Sequence, residues 1–393
     1  MSSVRSAVRF RLPLSTVSAG IMGTVIGFGS TVALVVQALR AVGADDAEIV
    51  SGVTALCLGI GVCTLILSLW TRMPVVCAWS TPGAALVGAS AVGVGYANVL
   101  GAFILAAAAM VVLGLIPALE RAIERIPSAL AAAMLAGVLL PYGLSVFRLL
   151  GLDPILVGLL LAVFILFRQR LPAYALLLVL GVAVAMLAVR GQIPVISLEF
   201  GRLVPVRPGF DWQVAVSLAV PLFLVTLATQ NLPGLAVLRA DGFSPRAQRL
   251  LLVTGLGWLA MAPFGALGIN LSALIAAICT GPDAHPDPGR RWLSGIVYGL
   301  AYLVLALFAT PLVLLFTRLP HDAVLAIAGI ALIAPLTNAL GAALARPEGR
   351  EPAILTFLTT ASGLTLFGIG SAFWGLVCGF LVLGAGRLLA RKA

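Results

Sequence analysis

Apolar residues run along this chain in long stretches, interrupted by single arginines, short acidic clusters or Pro/Gly pairs. Cut at those interruptions, the stretches fall at 14–39, 47–70, 73–93, 96–118, 127–146, 152–167, 171–189, 212–234, 249–263, 265–281, 292–316, 322–344, 353–368 and 371–390. A spanning helix needs about 20 apolar residues to cross a ~30 Å hydrocarbon core, so the pattern predicts an all-α integral membrane protein with about 14 transmembrane segments. The longest polar interruption, Arg190 to Asp211, contains Gly191, Pro194, Gly201, Pro205, Pro208 and Gly209 and leaves seven runs on each side. Halves with an odd number of spans must be inverted relative to each other. A short echo agrees: Ala38-Leu39-Arg40-Ala41-Val42-Gly43 after the first run resembles Val237-Leu238-Arg239-Ala240-Asp241-Gly242 after the eighth. The expected organisation is a first inverted repeat over 1–190, an extracytoplasmic linker over 191–211 and a second repeat over 212–393. Such repeats, with a site at their interface, are the usual build of secondary transporters.

Composition excludes the soluble alternative. Of 393 residues, 61% are hydrophobic and 10% charged, against roughly 45–50% and about 25% in soluble domains. The net charge of +10 comes from 24 Lys+Arg against 14 Asp+Glu, with Lys392 the only lysine. The arginines are scattered singly or in pairs, with no basic block and no aromatic interleaving, which argues against nucleic acid as a partner. With a cytoplasmic N-terminus, 18 basic residues fall on the cytoplasmic side and 6 (Arg40, Arg148, Arg190, Arg202, Arg207, Arg318) on the other. That asymmetry satisfies the positive-inside rule and predicts an even number of spans with both termini cytoplasmic. Arg5, Arg9 and Arg11 precede an apolar run too long for a signal peptide, so a retained first span is expected. In that run Gly20, Gly23, Gly27, Gly29 and Ser30 offer small side chains for close helix packing. The five cysteines all lie in apolar runs without a CxxC pair, and His285 and His321 read as solvated loop residues. Nothing calls for a metal or other cofactor.

Every acidic residue falls in a loop or at a span end. Intramembrane carboxylates mark proton relays and cation sites, so their absence argues against a cation pump. The polar groups of the interior are neutral: Ser80, Thr81, Gln230, Asn231, Asn270, Ser272 and Asn338. Two of these places break the helical pattern. Val75-Val76-Cys77-Ala78-Trp79 favours extended backbone and runs into Ser80-Thr81-Pro82-Gly83, where a hydroxyl caps a helix and Pro82 fits its first turn. Pro263-Phe264-Gly265-Ala266-Leu267-Gly268-Ile269-Asn270-Leu271-Ser272 repeats the logic, with Asn270 or Ser272 as cap. The third and tenth segments are thus each expected to be a short extended stretch plus a half-helix. Irregular backbone at this depth is tolerated only when buried in protein or lining a cavity. Two facing helix N-termini would offer free N–H groups and positive dipole ends to an anion. Gln230 and Asn231, just before a Pro233-Gly234 break, add amide groups. The plainer alternatives are a loop at Ser80-Thr81-Pro82, an interhelical bond at Asn270, and satisfaction of backbone groups freed by Pro233.

Ala78-Trp79-Ser80-Thr81-Pro82-Gly83-Ala84-Ala85-Leu86, Gln230-Asn231-Leu232-Pro233-Gly234 with Leu238-Arg239-Ala240-Asp241-Gly242, and Ala19-Gly20-Ile21-Met22-Gly23 through Gly27-Phe28 resemble the BenE family of benzoate transporters. The resemblance covers nearly the whole chain. It implies a bacterial inner-membrane benzoate:proton symporter whose fold is similar to that of uracil/xanthine permeases and sulfate-type anion transporters. That fold implies a core domain (spans 1–4 and 8–11), a gate domain (spans 5–7 and 12–14) and substrate between the third and tenth spans. The nucleobase relatives use carboxylates on the eighth and tenth spans, where this chain carries Gln230 or Asn231 and Asn270, which favours an anionic substrate.

The expected function is import of benzoate or a related aromatic monocarboxylate, with protons, by alternating access. The substrate's carboxylate is expected near Ser80, Thr81, Pro82, Gly83, Leu271 and Ser272, oriented by Gln230, Asn231 and Asn270, and its ring near Phe28 and Trp79. The proton travels with the substrate or uses a span-end group such as Asp241. An anion channel or uncoupled exchanger of the same architecture is the alternative. A membrane enzyme is disfavoured, because the spans hold no nucleophile triad, metal-ligand set or carboxylate pair. A homodimer follows only from analogy.

Overall fold

The computed structural model describes residues 13–90, 93–116, 128–171, 174–192 and 198–390, the last five through their backbone alone. The basic positions Arg5, Arg9, Arg11, Arg121, Arg125, Arg391 and Lys392 lie outside the described residues, as does Pro194 of the linker. Two long apolar helices open the chain, α1 (Leu14–Ala41) and α2 (Asp46–Thr71). Asp45 starts α2 with a reciprocal capping box, its carboxylate accepting from Glu48 N and the Glu48 carboxylate from Asp45 N, each at 2.8 Å. Strand β1 (Cys77–Trp79) and the short helix α3 (Thr81–Ser90) follow, then α4 (Tyr96–Leu115), α5 (Ser128–Leu152), α6 (Pro154–Arg168) and α7 (Ala175–Val189).

Beyond the linker, α8 (Trp212–Ala240) runs as one helix with two π-helical turns, Ala215–Ala219 and Leu227–Asn231. The break expected at Pro233-Gly234 does not occur. Proline removes one donor from the ladder, and the wider π turn immediately before it takes up the misfit, so the helix continues to Ala240. Then come α9 (Ala247–Met261), strand β2 (Ile269–Leu271), α10 (Ala273–Thr280), α11 (Trp292–Leu307), α12 (Ala309–Arg318), α13 (His321–Leu344), α14 (Arg350–Ala361) and α15 (Ser371–Ala390).

Among the described residues six helices are long and apolar enough to cross a membrane: α1, α2, α4, α5, α8 and α13. A seventh is the pair of α11, with the 3-10 turn before it, and α12, bent by 63°. The remaining apolar runs fold as shorter pieces. Helices α6 and α7 have 15 residues each, which at ~1.5 Å per residue rise about 22 Å. Large side chains such as Ile155, Leu166, Val189 and Leu381 lie exposed, the surface of a protein solvated by lipid.

The tightest pairings are α5 with α13, α2 with α11, α4 with α9, and α14 with α15 and α5. Helix α1 lies against α11, α3 and α13. Close approach there needs glycine: a β-carbon at Gly23 would meet Ile275 Cγ2 at 2.8 Å and the Tyr298 ring at 3.3 Å. His285 is buried rather than solvated. Its Nδ1 accepts from Asp287 N at 2.9 Å, and the buried Arg291 donates to the carbonyls of His285 and Thr280, the latter closing the C-terminus of α10. At another loop Arg190 binds the carboxylate of Asp153, the residue capping α6, and with the Leu156 N–H holds it below the usual carboxylate range.

Candidate functional site

In the middle of the packed helices, β1 and β2 form an antiparallel two-stranded ribbon with Cys77 opposite Leu271, Ala78 opposite Asn270 and Trp79 opposite Ile269. A ribbon so short has two open edges, and buried edges must be satisfied by other elements. Thr64 on α2 accepts from Cys77 N (3.0 Å), Tyr298 on α11 donates to Cys77 O (2.9 Å), and the Asn231 amide oxygen on α8 accepts from Leu271 N (3.0 Å). Side chains of the surrounding helices thus complete the backbone bonds that the chain itself leaves open.

Each strand turns directly into a helix. Ser80 Oγ accepts from Gly83 N at 3.0 Å at the start of α3, and Ser272 Oγ accepts from Ile275 N at 3.2 Å at the start of α10. Of the two cap candidates in the tenth segment, Ser272 takes the role and Asn270 does not. Capping and the first helical turns use the N–H groups of Gly83, Ala84, Ile275 and Ala276, and Pro82 has none. The first-turn N–H groups of Thr81, Ala273 and Leu274 are left for a ligand or solvent.

Around these helix starts the side chains are neutral. The Ser80 hydroxyl meets Thr226 Oγ1 on α8 at 3.1 Å, and the Thr81 hydroxyl meets Thr31 Oγ1 on α1 at 3.1 Å. Asn270 is fully buried; its Nδ2 donates to Leu271 O at 2.9 Å while its Oδ1 has no partner among the described residues. Asn231 places its Nδ2 against Met110 Sδ at 3.6 Å, a weak acceptor. The side chain of Gln230, half-buried, makes no hydrogen bond among the described residues. Trp79, 2% exposed, donates its indole N–H to Gly27 O at 3.1 Å and packs on Phe28 and Tyr302, with ring centroids 5.3 and 6.3 Å away.

The fold therefore brings Trp79, Ser80, Thr81, Pro82, Gly83, Asn231, Asn270, Leu271 and Ser272 to one ribbon and its helix starts, with Phe28 against Trp79. Asp241 stands apart. It ends α8 and accepts from the Thr280 hydroxyl at the far end of α10, about 12 Å of helix rise from Ser272. Thr226, Thr31, Tyr298 and Tyr302 were not singled out by sequence reasoning. Threonine and tyrosine inside apolar helices carry no local signal of a partner distant in sequence.

The sequence pattern of the BenE family, described as benzoate membrane transport protein, matches residues 11–385. The inner membrane protein YdcO of Escherichia coli (strain K12) is 40% identical over 372 residues, covering 94% of this chain and 95% of that protein. The benzoate membrane transport protein of Acinetobacter baylyi is 31% identical over 383 residues, covering 97% of each. Among solved structures, the transmembrane domain of the cyanobacterial bicarbonate transporter BicA superposes with a TM-score of 0.61 at 15% identity, covering 95% of this chain and 98% of that one. SLC26A9 gives 0.66 at 14% identity, covering 94% of this chain and 65% of that one. At such identities the likeness concerns the fold, which is that of the SLC26 and BicA anion transporters. By sequence, the chain belongs to the BenE family of benzoate membrane transport proteins, a transporter family and not an enzyme family.

Proposed function

We propose that the protein imports benzoate or a related aromatic monocarboxylate together with protons, by alternating access, across a bacterial inner membrane. The observation that carries this reading is the buried ribbon, which leads into the N-termini of α3 and α10 at its two ends, among uncharged polar groups. The free N–H and dipole end at either start, Thr81 on α3 or Ala273 and Leu274 on α10, suit a carboxyl group. Gln230, with no hydrogen-bond partner among the described residues, orients it, together with Asn231 and Asn270. The aromatic wall of Phe28 and Trp79 lies next to the same ribbon.

A seven-plus-seven inverted repeat organises the fourteen apolar segments in this reading. Its support is that contacts recur in exchanged form: α1 packs on α3 as α8 packs on α10, and α2 on α11 as α9 on α4. Helices α5 and α13, each with an internal proline (Pro141, Pro335), face each other across the pseudo-axis. The core then comprises α1–α4 and α8–α12 with the ribbon, and α5–α7 with α13–α15 form the gate. Both termini are cytoplasmic by the arginine distribution.

Uptake of labelled benzoate into proteoliposomes tests the reading. Accumulation driven by an inward proton gradient and abolished by a protonophore is expected; passive flux that follows voltage would identify an anion channel or uncoupled exchanger instead. Gln230→Ala is expected to weaken uptake affinity by about tenfold, the loss of one donor to a charged or strongly polar group worth roughly 1.5 kcal/mol.

A further inference from the structure

The amide of Asn270 carries a requirement that a carboxylate does not meet. Its Nδ2 donates to Leu271 O at 2.9 Å. Rotating the amide by half a turn would set Oδ1 against that carbonyl, two acceptors in contact, so the observed orientation is fixed. In that orientation Oδ1 is buried and has no donor among the described residues. Unmet buried acceptors are rare, because they give up hydration without a replacement. The orphan lies beside the start of α3: the point where a β-carbon would sit on Gly268 is 2.9 Å from Ser80 Cβ and 3.9 Å from Asn270 Oδ1.

The groups left over beside the α3 start are thus mixed, an N–H donor at Thr81 and an acceptor at Asn270, while the N–H groups of Ala273 and Leu274 lie at the other end of the ribbon. A carboxylate is acceptor-only and would satisfy the Thr81 donor while facing Oδ1 with negative charge. A carboxylic acid offers both a carbonyl oxygen and an O–H. Charge points the same way. Among the described residues the buried basic side chains are His285 and Arg291, and Arg291 is engaged at the opposite end of α10. An anion at the ribbon would have no fixed counter-charge, and a neutral acid costs far less to desolvate. Among the described residues the titratable side chains at the ribbon are Cys77 on β1, Tyr298, which donates to Cys77 O, and Tyr302 against Trp79, with the buried Cys57, Cys63 and Cys279 on α2 and α10, thiols and phenols whose ordinary ranges lie above neutrality.

We propose that the site holds its aromatic substrate as the neutral carboxylic acid, the acid O–H donating to Asn270 Oδ1, so that substrate and proton cross as one species. This rests on the reading of the ribbon as the substrate site. The carboxylate takes one proton from water on the entry side as it binds and returns one proton to water on the exit side, so each cycle moves one substrate and one proton with no protein carboxylate in the relay.

The test is calorimetric titration of the purified full-length protein with benzoate, in buffers of contrasting ionisation enthalpy. Uptake of one proton per benzoate bound is expected, with an apparent Kd that weakens about tenfold per pH unit across the neutral range. Benzamide, a neutral isostere with an N–H donor, is expected to compete, and benzenesulfonate, a permanent anion, is not. Asn270→Leu should abolish competition by benzamide; the ligand series on the unaltered protein stands without it if the variant does not fold. Benzoate binding without proton uptake, with benzenesulfonate competing as well as benzoate, overturns the inference alone. No benzoate binding at all overturns the reading of the site on which it rests.

Discussion

The two helix starts at the ribbon share a serine cap but are held differently. At α3 the braces are hydroxyls from other helices, Thr226 of α8 on Ser80 and Thr31 of α1 on Thr81. At α10 the brace is an amide acting on the strand before the helix, Asn231 on the Leu271 N–H. The second helical position also differs: Pro82 is buried and has no N–H, whereas Leu274 is 61% exposed and keeps one. The α3 start is therefore fixed in place by its neighbours and contributes one free N–H, while the α10 start contributes two. The asymmetry is one of bracing and of the number of N–H groups left open.

The comparison is most severely challenged at the contact that seats β2 on α8. A β-carbon at Gly234 would lie 2.7 Å from Leu271 Cβ, a backbone-borne atom that cannot swing away. Gly234→Val is expected to cost about 3 kcal/mol through overpacking, read as a fall in thermal unfolding temperature in detergent, with benzoate binding lost. Unchanged stability would mean that β2 does not rest on α8. Next in size is Asn231→Leu, which keeps volume but strands the buried Leu271 N–H. About 2 kcal/mol is expected, together with weakened binding, because the α10 start is no longer held.

How much of this was legible beforehand follows from the range of each interaction. Ser80-Thr81-Pro82 and Ser272 announce their helices because an N-cap bonds only three residues ahead, as Ser80 to Gly83 and Ser272 to Ile275 do. The apolar runs announce the membrane. Pairing of Ala78 with Asn270 is set by packing between residues about half the chain apart, and three-residue strands carry too little pattern to predict it. The continuation of α8 through Pro233 escaped for a related reason: the π turn over Leu227–Asn231 that accommodates the proline has no sequence signature of its own. Burial of His285 depended on Arg291 and on the fold of its own loop, neither visible in a polar stretch.

Replacing the caps compares the two starts directly. Removing an N-cap hydroxyl costs about 1 kcal/mol, so Ser272→Ala is expected near that value. Ser80→Ala should exceed it by roughly 0.5 kcal/mol, since the same hydroxyl also bonds Thr226. Equal losses in thermal denaturation would remove the distinction between a cap hydroxyl that is itself braced by another helix and one that is not.

The smallest effect isolates that brace. Thr226→Val retains the branched shape and removes the hydroxyl, while Ser80 Oγ still accepts from Gly83 N at 3.0 Å. The cap therefore survives, and the expected loss is only about 0.5–1 kcal/mol. A double-mutant cycle with Ser80→Ala separates the pair from its parts: a coupling of at least about 0.5 kcal/mol is expected for two groups in direct contact. If the two losses simply add, the Ser80 and Thr226 hydroxyls do not hold each other, and the α3 start owes its position to packing alone. In that case Leu222, whose Cδ1 would lie 2.8 Å from a β-carbon on Gly83, becomes the contact through which α8 fixes it.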